Sequence, residues 1–348
     1  MVDFSHLQDF LHPVSKALLN DDQEYDPYQV GGLIDVYEED HQPDIDAADI
    51  VLLGVGEERG SESGKTSSNG PDVIRREFFR LYNWHRDIKL ADAGNLLPGA
   101  FLADAYAAMK TVVAELLAAN KTVIILGGSH DLTYPQYKAY AAQQLIIEAT
   151  VADALIDLKE DSPVRSERFL MDVLTEQPNY LRHYNHIGFQ SYFVHPRMLE
   201  TLDKLRFDCF RLGHIRENME EAEPVLRHSD LFSLDINIIR HTDAPANHLS
   251  PNGFSGEEAC SLSRYAGMSS RLTSFGIYGY RPEKDKEQLT ARQIAQMMWY
   301  CMDGRAVKNK EALLDDRDAF WEFHIAFSDI ETVFLKSKKT GRWWMQLP

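Results

Sequence analysis

Short apolar runs alternate with amphipathic segments along most of this chain, and that alternation restricts the fold more than any other feature. "DIVLLGV" (49–55), "KTVIILGG" (121–128), the centre of "IIEATVADALIDL" (146–158), "NHIGFQSYF" (185–193), "FDCFRLG" (207–213), "DLFSLDI" (230–236) and "LTSFGIYGY" (272–280) read as strands. "GPDVIRREFFRLYNW" (70–84) has Pro71 where a helix would start, and "FLADAYAAMKTVVAELLAAN" (101–120) is a strong helix. Further helical stretches fall near 196–206, 217–228, 255–267 and 287–303. Strands of this kind, linked through helices, form a mostly parallel sheet covered on both faces. Ligands of such sheets bind at the carboxyl ends of the strands. The tail "WEFHIAFSDIETVFLKSKKTGRWWMQ" (321–346) departs from the pattern and reads as two or three β-segments with a turn at Lys338–Gly341. Residues 1–48 read as an extension with weak helix signals; no linker interrupts residues 49–348, which are expected to form one domain.

Charge excludes some roles. The chain carries 36 basic and 54 acidic residues, a net charge of −18, which disfavours nucleic acid and anionic membranes. Cys209, Cys260 and Cys301 are odd in number and far apart, so free thiols in a reducing compartment are expected. The first twenty residues carry acids and no long apolar run, unlike a signal peptide, and no stretch reaches the length of a membrane span. The expectation is a cytoplasmic protein whose partners are a small-molecule ligand and further copies of itself.

Three strand ends carry side chains suited to a metal ion. "ILGGSHDLTYPQY" places His130 and Asp131 just past a double glycine; "VADALIDL" holds Asp153 and Asp157; "SLDINIIR" holds Asp235 and Asn237. Asp235 and Asn237 are two apart, so on a strand they share a face. Any one of these has an ordinary explanation as a cap or a turn. Three together on strand ends of one sheet favour a site of hard oxygen ligands plus one imidazole, suited to Mn²⁺, Mg²⁺ or Zn²⁺.

These three segments resemble the signatures of the ureohydrolase family (arginase, agmatinase, formimidoylglutamase), which read GGDHS, DAHxD and SxDxDxxDP. Here they read GGSHD (127–131), DALID (153–157) and SLDINIIR (233–240). "GPDVIRREF" resembles the family's GPxxIR helix, "DAGN" (92–95) its short D-x-G-D turn, "NGFSGEEACSLSRYAG" (252–267) its GGLxxxE helix and "GIYGYRPEKD" (276–285) its VEVNPxxD stretch. The resemblance implies a three-layer α/β/α sandwich with a mostly parallel sheet of about eight strands, in which 121–128, 148–153 and 230–236 are neighbours. It also implies two manganese ions bridged by hydroxide. His130, Asp153, Asp157 and Asp235 occupy ligand places, but the family's second His is Leu155 and its second Asp is Asn237. By the resemblance, the four retained residues belong to one ion, bridging acids apart, and the two losses both belong to the other. The expected cofactor is therefore at most one divalent cation per chain, manganese first, or none.

The substrate side is altered too. The family's cation-gripping Glu, counted back from Pro282, falls on Gly279, flanked by Tyr278 and Tyr280. The loop "KEDSPVRSERFLMDVLTEQPNY" lacks the family's proton-transfer His. By the resemblance the Gly/Ser loop at 55–70 borders the cleft, making Lys65 and Ser67 candidates with Tyr278 and Gly279. That loop contains GKT, but Arg59 stands where a phosphate loop needs its first glycine, and "SSNGP" breaks any helix there. "HYNH" (183–186) lacks the helix or closing acid of a zinc pair, the basic "LKSKKTGR" (335–342) reads as a solvated hairpin, and "RWWM" as packing or an oligomer contact. Two functions are expected: an arginase-like protein without arginase or agmatinase activity, in a binding or structural role, or a one-ion hydrolase of another C–N bond, of formimidoyl type.

Overall fold

The computed structural model describes residues 4–327 and 330–346. Ten strands form the main sheet: β1 (Leu11–His12), β2 (Asp35–Val36), β3 (Ile50–Gly54), β4 (Leu90–Leu96), β5 (Thr122–Leu126), β6 (Ile147–Ala152), β7 (Leu181–Phe189), β8 (Asp208–Arg211), β9 (Leu231–Asp235) and β10 (Ser274–Tyr278). Their order is β1-β4-β3-β5-β10-β9-β6-β7-β8, with β2 also on β4. Only the β1–β4 pair is antiparallel. β6 and β9 are neighbours as expected, but β10 stands between β5 and β9.

The central strands are mostly apolar because both faces are covered. Ile50, Leu52, Ile124 and Leu126 pack with helices Gly70–Phe79, Gly256–Gly267 and Leu289–Lys310. The alternate residues Val51, Leu53, Val123 and Ile125 pack with helices Leu102–Ala118 and Thr133–Ala142. Strand period two sends neighbours to opposite layers, which yields the α/β/α sandwich.

Residues 4–48 pack onto this body. Both two-residue strands they supply, β1 and β2, bond to β4, and Leu7, Val30 and Ile34 are buried. The "DAGN" stretch lies within β4, where Gly94 takes a positive φ of 86°. It holds the fold through Arg75 of the "GPDVIR" helix. Arg75 is fully buried and donates to both Asp92 carboxylate oxygens at 2.7 and 2.8 Å and to the Gly94 carbonyl at 2.9 Å. Helix Gly256–Gly267 opens with a reciprocal cap: the Ser255 hydroxyl accepts from the Glu258 amide at 3.1 Å, and the Glu258 carboxylate accepts from the Ser255 amide at 2.6 Å.

The tail forms its own antiparallel sheet, β11 (Phe320–Phe327), β12 (Ile330–Ser337) and β13 (Trp343–Gln346). Arg342 donates to the Met268 carbonyl and Glu223, and Arg227 to the Trp343 carbonyl, fastening this sheet to the body. Both guanidinium groups lie over Trp344, which accounts for that half of "RWWM". Among the described residues no helix is long and apolar enough to cross a membrane.

Candidate metal centre and cleft

All the motif-bearing strands run parallel, so their carboxyl ends meet on one edge. The register pairs Ala152 with Leu234 and Tyr278 with Asp235, setting Asp153 level with Asp235 and Gly279 one residue past that level. His130 reaches them from the 3₁₀ turn His130–Leu132 after β5. Its Nδ1 lies 3.0 Å from Asp153 Oδ2, 3.1 Å from Asp157 Oδ2 and 3.9 Å from Asp235 Oδ2. All four residues are at most 5% exposed.

These distances suit hydrogen bonds, yet the buried Nδ1 has no well-directed partner, because no carboxylate oxygen lies where its N–H would point. A ring nitrogen facing three carboxylates without a directed bond has the geometry of a ligand sharing an ion with them. Ligand atoms of His130, Asp153 and Asp235 all lie within 4.8 Å of one another, and Asp157 closes the side. The outer atoms are held as such a centre requires. His130 Nε2 is 3.1 Å from the Ser233 hydroxyl, which is 2.6 Å from that of Thr133. Nδ1 is thereby left for the carboxylates. Asp153 Oδ1 accepts from the Leu155 amide at 3.2 Å, and Asp235 Oδ1 from the Asn237 amide at 2.7 Å.

The electrostatics are those of crowded, desolvated charge. Burial works against the imidazolium of His130, but Asp153 and Asp157 outweigh it and hold its pKa well above the usual value. Burial raises Asp157; burial and then the neighbouring carboxylate raise Asp153. Asp235 is pushed up to about 6, first by burial and then by Asp153. A divalent cation would relieve both causes, so the donor set fits one.

At the other half of the motifs, Leu155 offers no donor and the Asn237 side-chain oxygen accepts from the His248 amide at 3.2 Å. A cleft of about 270 Å³ opens above, and Leu155, Asn237 and Gly279 line it together with the four ligand candidates. Tyr278 does not: it is fully buried and its hydroxyl donates to Gln136 at 2.8 Å. One residue before the chain breaks from the strand, it faces the core. Lys65 and Ser67 also lie outside the lining; both are exposed, and Lys65 is paired with Glu283 at 2.5 Å. The same loop instead turns Glu58, Ser61 and Glu62 to the cleft, and Glu167, His248 and Arg281 border it from other loops. Sequence reasoning missed these. Only Glu58 carried a readable signal, an acid just past a strand end. His248 lies beyond the loop in which a histidine was sought. His183 and His186 face apart: His183 pairs with Asp208, while His186 is buried with Nε2 3.0 Å from the Asp153 carbonyl.

Comparison with known families bears on this geometry. The family model described as "Arginase family" matches residues 48–304, most of the chain. The chain belongs to the arginase family. Formimidoylglutamases are among its similar relatives: that of Staphylococcus haemolyticus is 28% identical over 142 residues, 38% of this chain and 45% of the relative. The Hahella chejuensis protein is 25% identical over 219 residues, 57% of this chain and 67% of the relative, and that of Vibrio cholerae 24% over 278, 72% and 82%. Among solved structures, Bacillus subtilis formimidoylglutamase superposes with a TM-score of 0.70 at 18% identity, covering 81% of this chain and 93% of that one. Trypanosoma cruzi formiminoglutamase, crystallised with Mn²⁺, gives 0.68 at 20%, covering 77% and 96%. At these identities the superpositions speak for the fold.

Proposed function

We propose that this arginase-family chain holds one divalent cation, manganese first, through His130, Asp153, Asp157 and Asp235. Its cleft binds a small ligand and does not release urea from arginine or agmatine. The observation that carries the reading is His130 Nδ1, buried, undirected and facing three carboxylates. Leu155 and the engaged Asn237 argue against a second ion, because at these two positions an apolar side chain and a neutral amide supply neither an imidazole ligand nor a carboxylate charge. When bound, an ion supplies Lewis acidity and relief of carboxylate repulsion. The chain itself orients His130 through Ser233 and keeps the three acids dry.

The formimidoylglutamase relatives favour a second reading, hydrolysis of a formimidoyl-type C–N bond with the one ion. Elemental analysis after dialysis against Mn²⁺, followed by assays for urea, ammonia and formamide, separates the two. One ion and no product supports the binding role; one ion with formamide and no urea supports the hydrolase. Two ions per chain, or ready turnover of arginine or agmatine, would refute both.

A further inference from the structure

Glu58 is 3% exposed, lines the cleft and has a buried oxygen, Oε1, without any hydrogen-bond partner. Its other oxygen accepts from the Ser63 hydroxyl at 2.6 Å. The nearby guanidinium is committed elsewhere: Arg59 Nε lies 2.9 and 3.1 Å from the Glu57 carboxylate oxygens and Nη2 2.6 Å from one of them, and the group also donates to the Gly99 and Ala100 carbonyls. Among the described residues no cation pairs with Glu58. A buried carboxylate oxygen left open is costly, so it marks a place where a donor is expected to arrive.

Its position supports the same conclusion. The Glu57 carbonyl accepts from the Ser129 amide at 3.0 Å, which fixes the segment beside His130. Gly279, on the β10 side of the cleft, cannot present a carboxylate in this backbone: its φ is +80°, and a Cβ there would sit 2.6 Å from Asp235 Oδ2. Charge points the same way. The carboxylates of Glu58, Glu62, Asp153, Asp157, Glu167 and Asp235 line the cleft against one guanidinium, Arg281.

We infer that Glu58, and not position 279, is the cation-binding group of this cleft, receiving the planar amidinium that the C–N ligands proposed above carry. A carboxylate with one free oxygen and one bonded only to a hydroxyl can accept the paired N–H donors of such a group. The choice of amidinium rests on the reading of the cleft as a site for C–N ligands; the role of Glu58 as an anion awaiting a cation does not.

The test uses the full chain with and without Mn²⁺, titrated calorimetrically with acetamidinium, its neutral counterpart acetamide, and methylammonium. The expected result is at least tenfold tighter binding of acetamidinium than of acetamide or methylammonium. In Glu58→Gln acetamidinium should weaken at least tenfold, with manganese uptake unchanged. Equal binding by Glu58→Gln, or no preference for acetamidinium in the unaltered protein, overturns the inference. If Glu58→Gln does not fold, the ligand comparison on the unaltered protein decides. Manganese uptake without acetamidinium binding refutes this inference alone. Glu58-dependent acetamidinium binding without manganese uptake supports it and refutes the one-ion reading.

Discussion

Leu155 and Asn237 are the two positions on which the proposed one-ion centre rests. Asn237→Asp is isosteric and keeps the bond its oxygen makes to the His248 amide, so the change adds charge without moving the loop. Together with Leu155→His it should raise manganese from at most one towards two per chain, read by elemental analysis; an unchanged stoichiometry would show that the site lacks the room. Gly279 behaves differently. A side chain there meets Asp235 and a left-handed backbone that costs about 1–3 kcal/mol for other residues. Gly279→Glu should therefore fail to create arginine hydrolysis and should weaken manganese binding, measured by competition with a chelator. Tight manganese binding by that variant would contradict the close packing of Gly279 on Asp235.

The elements around the site are pinned by one buried ion pair more than by any single helix signal. Arg75 and Asp92 are both fully buried and join helix Gly70–Phe79 to β4. Removing one partner leaves the other charge without compensation, which typically costs about 3–5 kcal/mol. Arg75→Met should lower the urea midpoint accordingly, and adding Asp92→Asn should restore part of the loss, because the stranded charge is gone. No recovery in the double variant would mean that the hydrogen bonds to Gly94 and Asn95, and not the charge pair, carry the effect.

Across the whole molecule, acidity dominates, yet a half-buried lysine also bears on stability. Lys308, near the end of helix Leu289–Lys310, has its pKa lowered to about 8, first by burial and then by repulsion from Arg305. The native state thus loses this proton before the unfolded chain does. Between pH 8 and 10.5 the unfolded state binds more protons, so this group makes stability rise with pH there, and its penalty is fully present below 8. Lys308→Met should raise the melting temperature at pH 7 by about 1–3 °C and reduce the difference between pH 7 and 10. A lower melting temperature at pH 7 would show that the ammonium is stabilised in the fold.

The sequence by itself determined the layered sheet and the convergence of His130, Asp153, Asp157 and Asp235. Both rest on local patterns: apolar runs buried on two faces, and chemistry placed within a few residues of strand ends, which a parallel sheet brings to one edge. The tail's β-segments were legible from their local composition, and its turn from Gly341. β1 and β2 were not, since two residues carry no period, and only their bonds to β4 make them strands. The lining of the cleft was likewise decided by tertiary structure. Tyr278 and Gly279 are adjacent, but alternation sends Tyr278 into the core while positive φ turns the chain at Gly279. The loop after β3 has a path set by contacts far along the chain, Lys65 to Glu283 and the Glu57 carbonyl to Ser129. Those contacts place Glu58 in the cleft with His130, Asp153, Asp157 and Asp235 and leave Lys65 outside, because a loop without a repeating backbone pattern takes its side-chain directions from what it packs against.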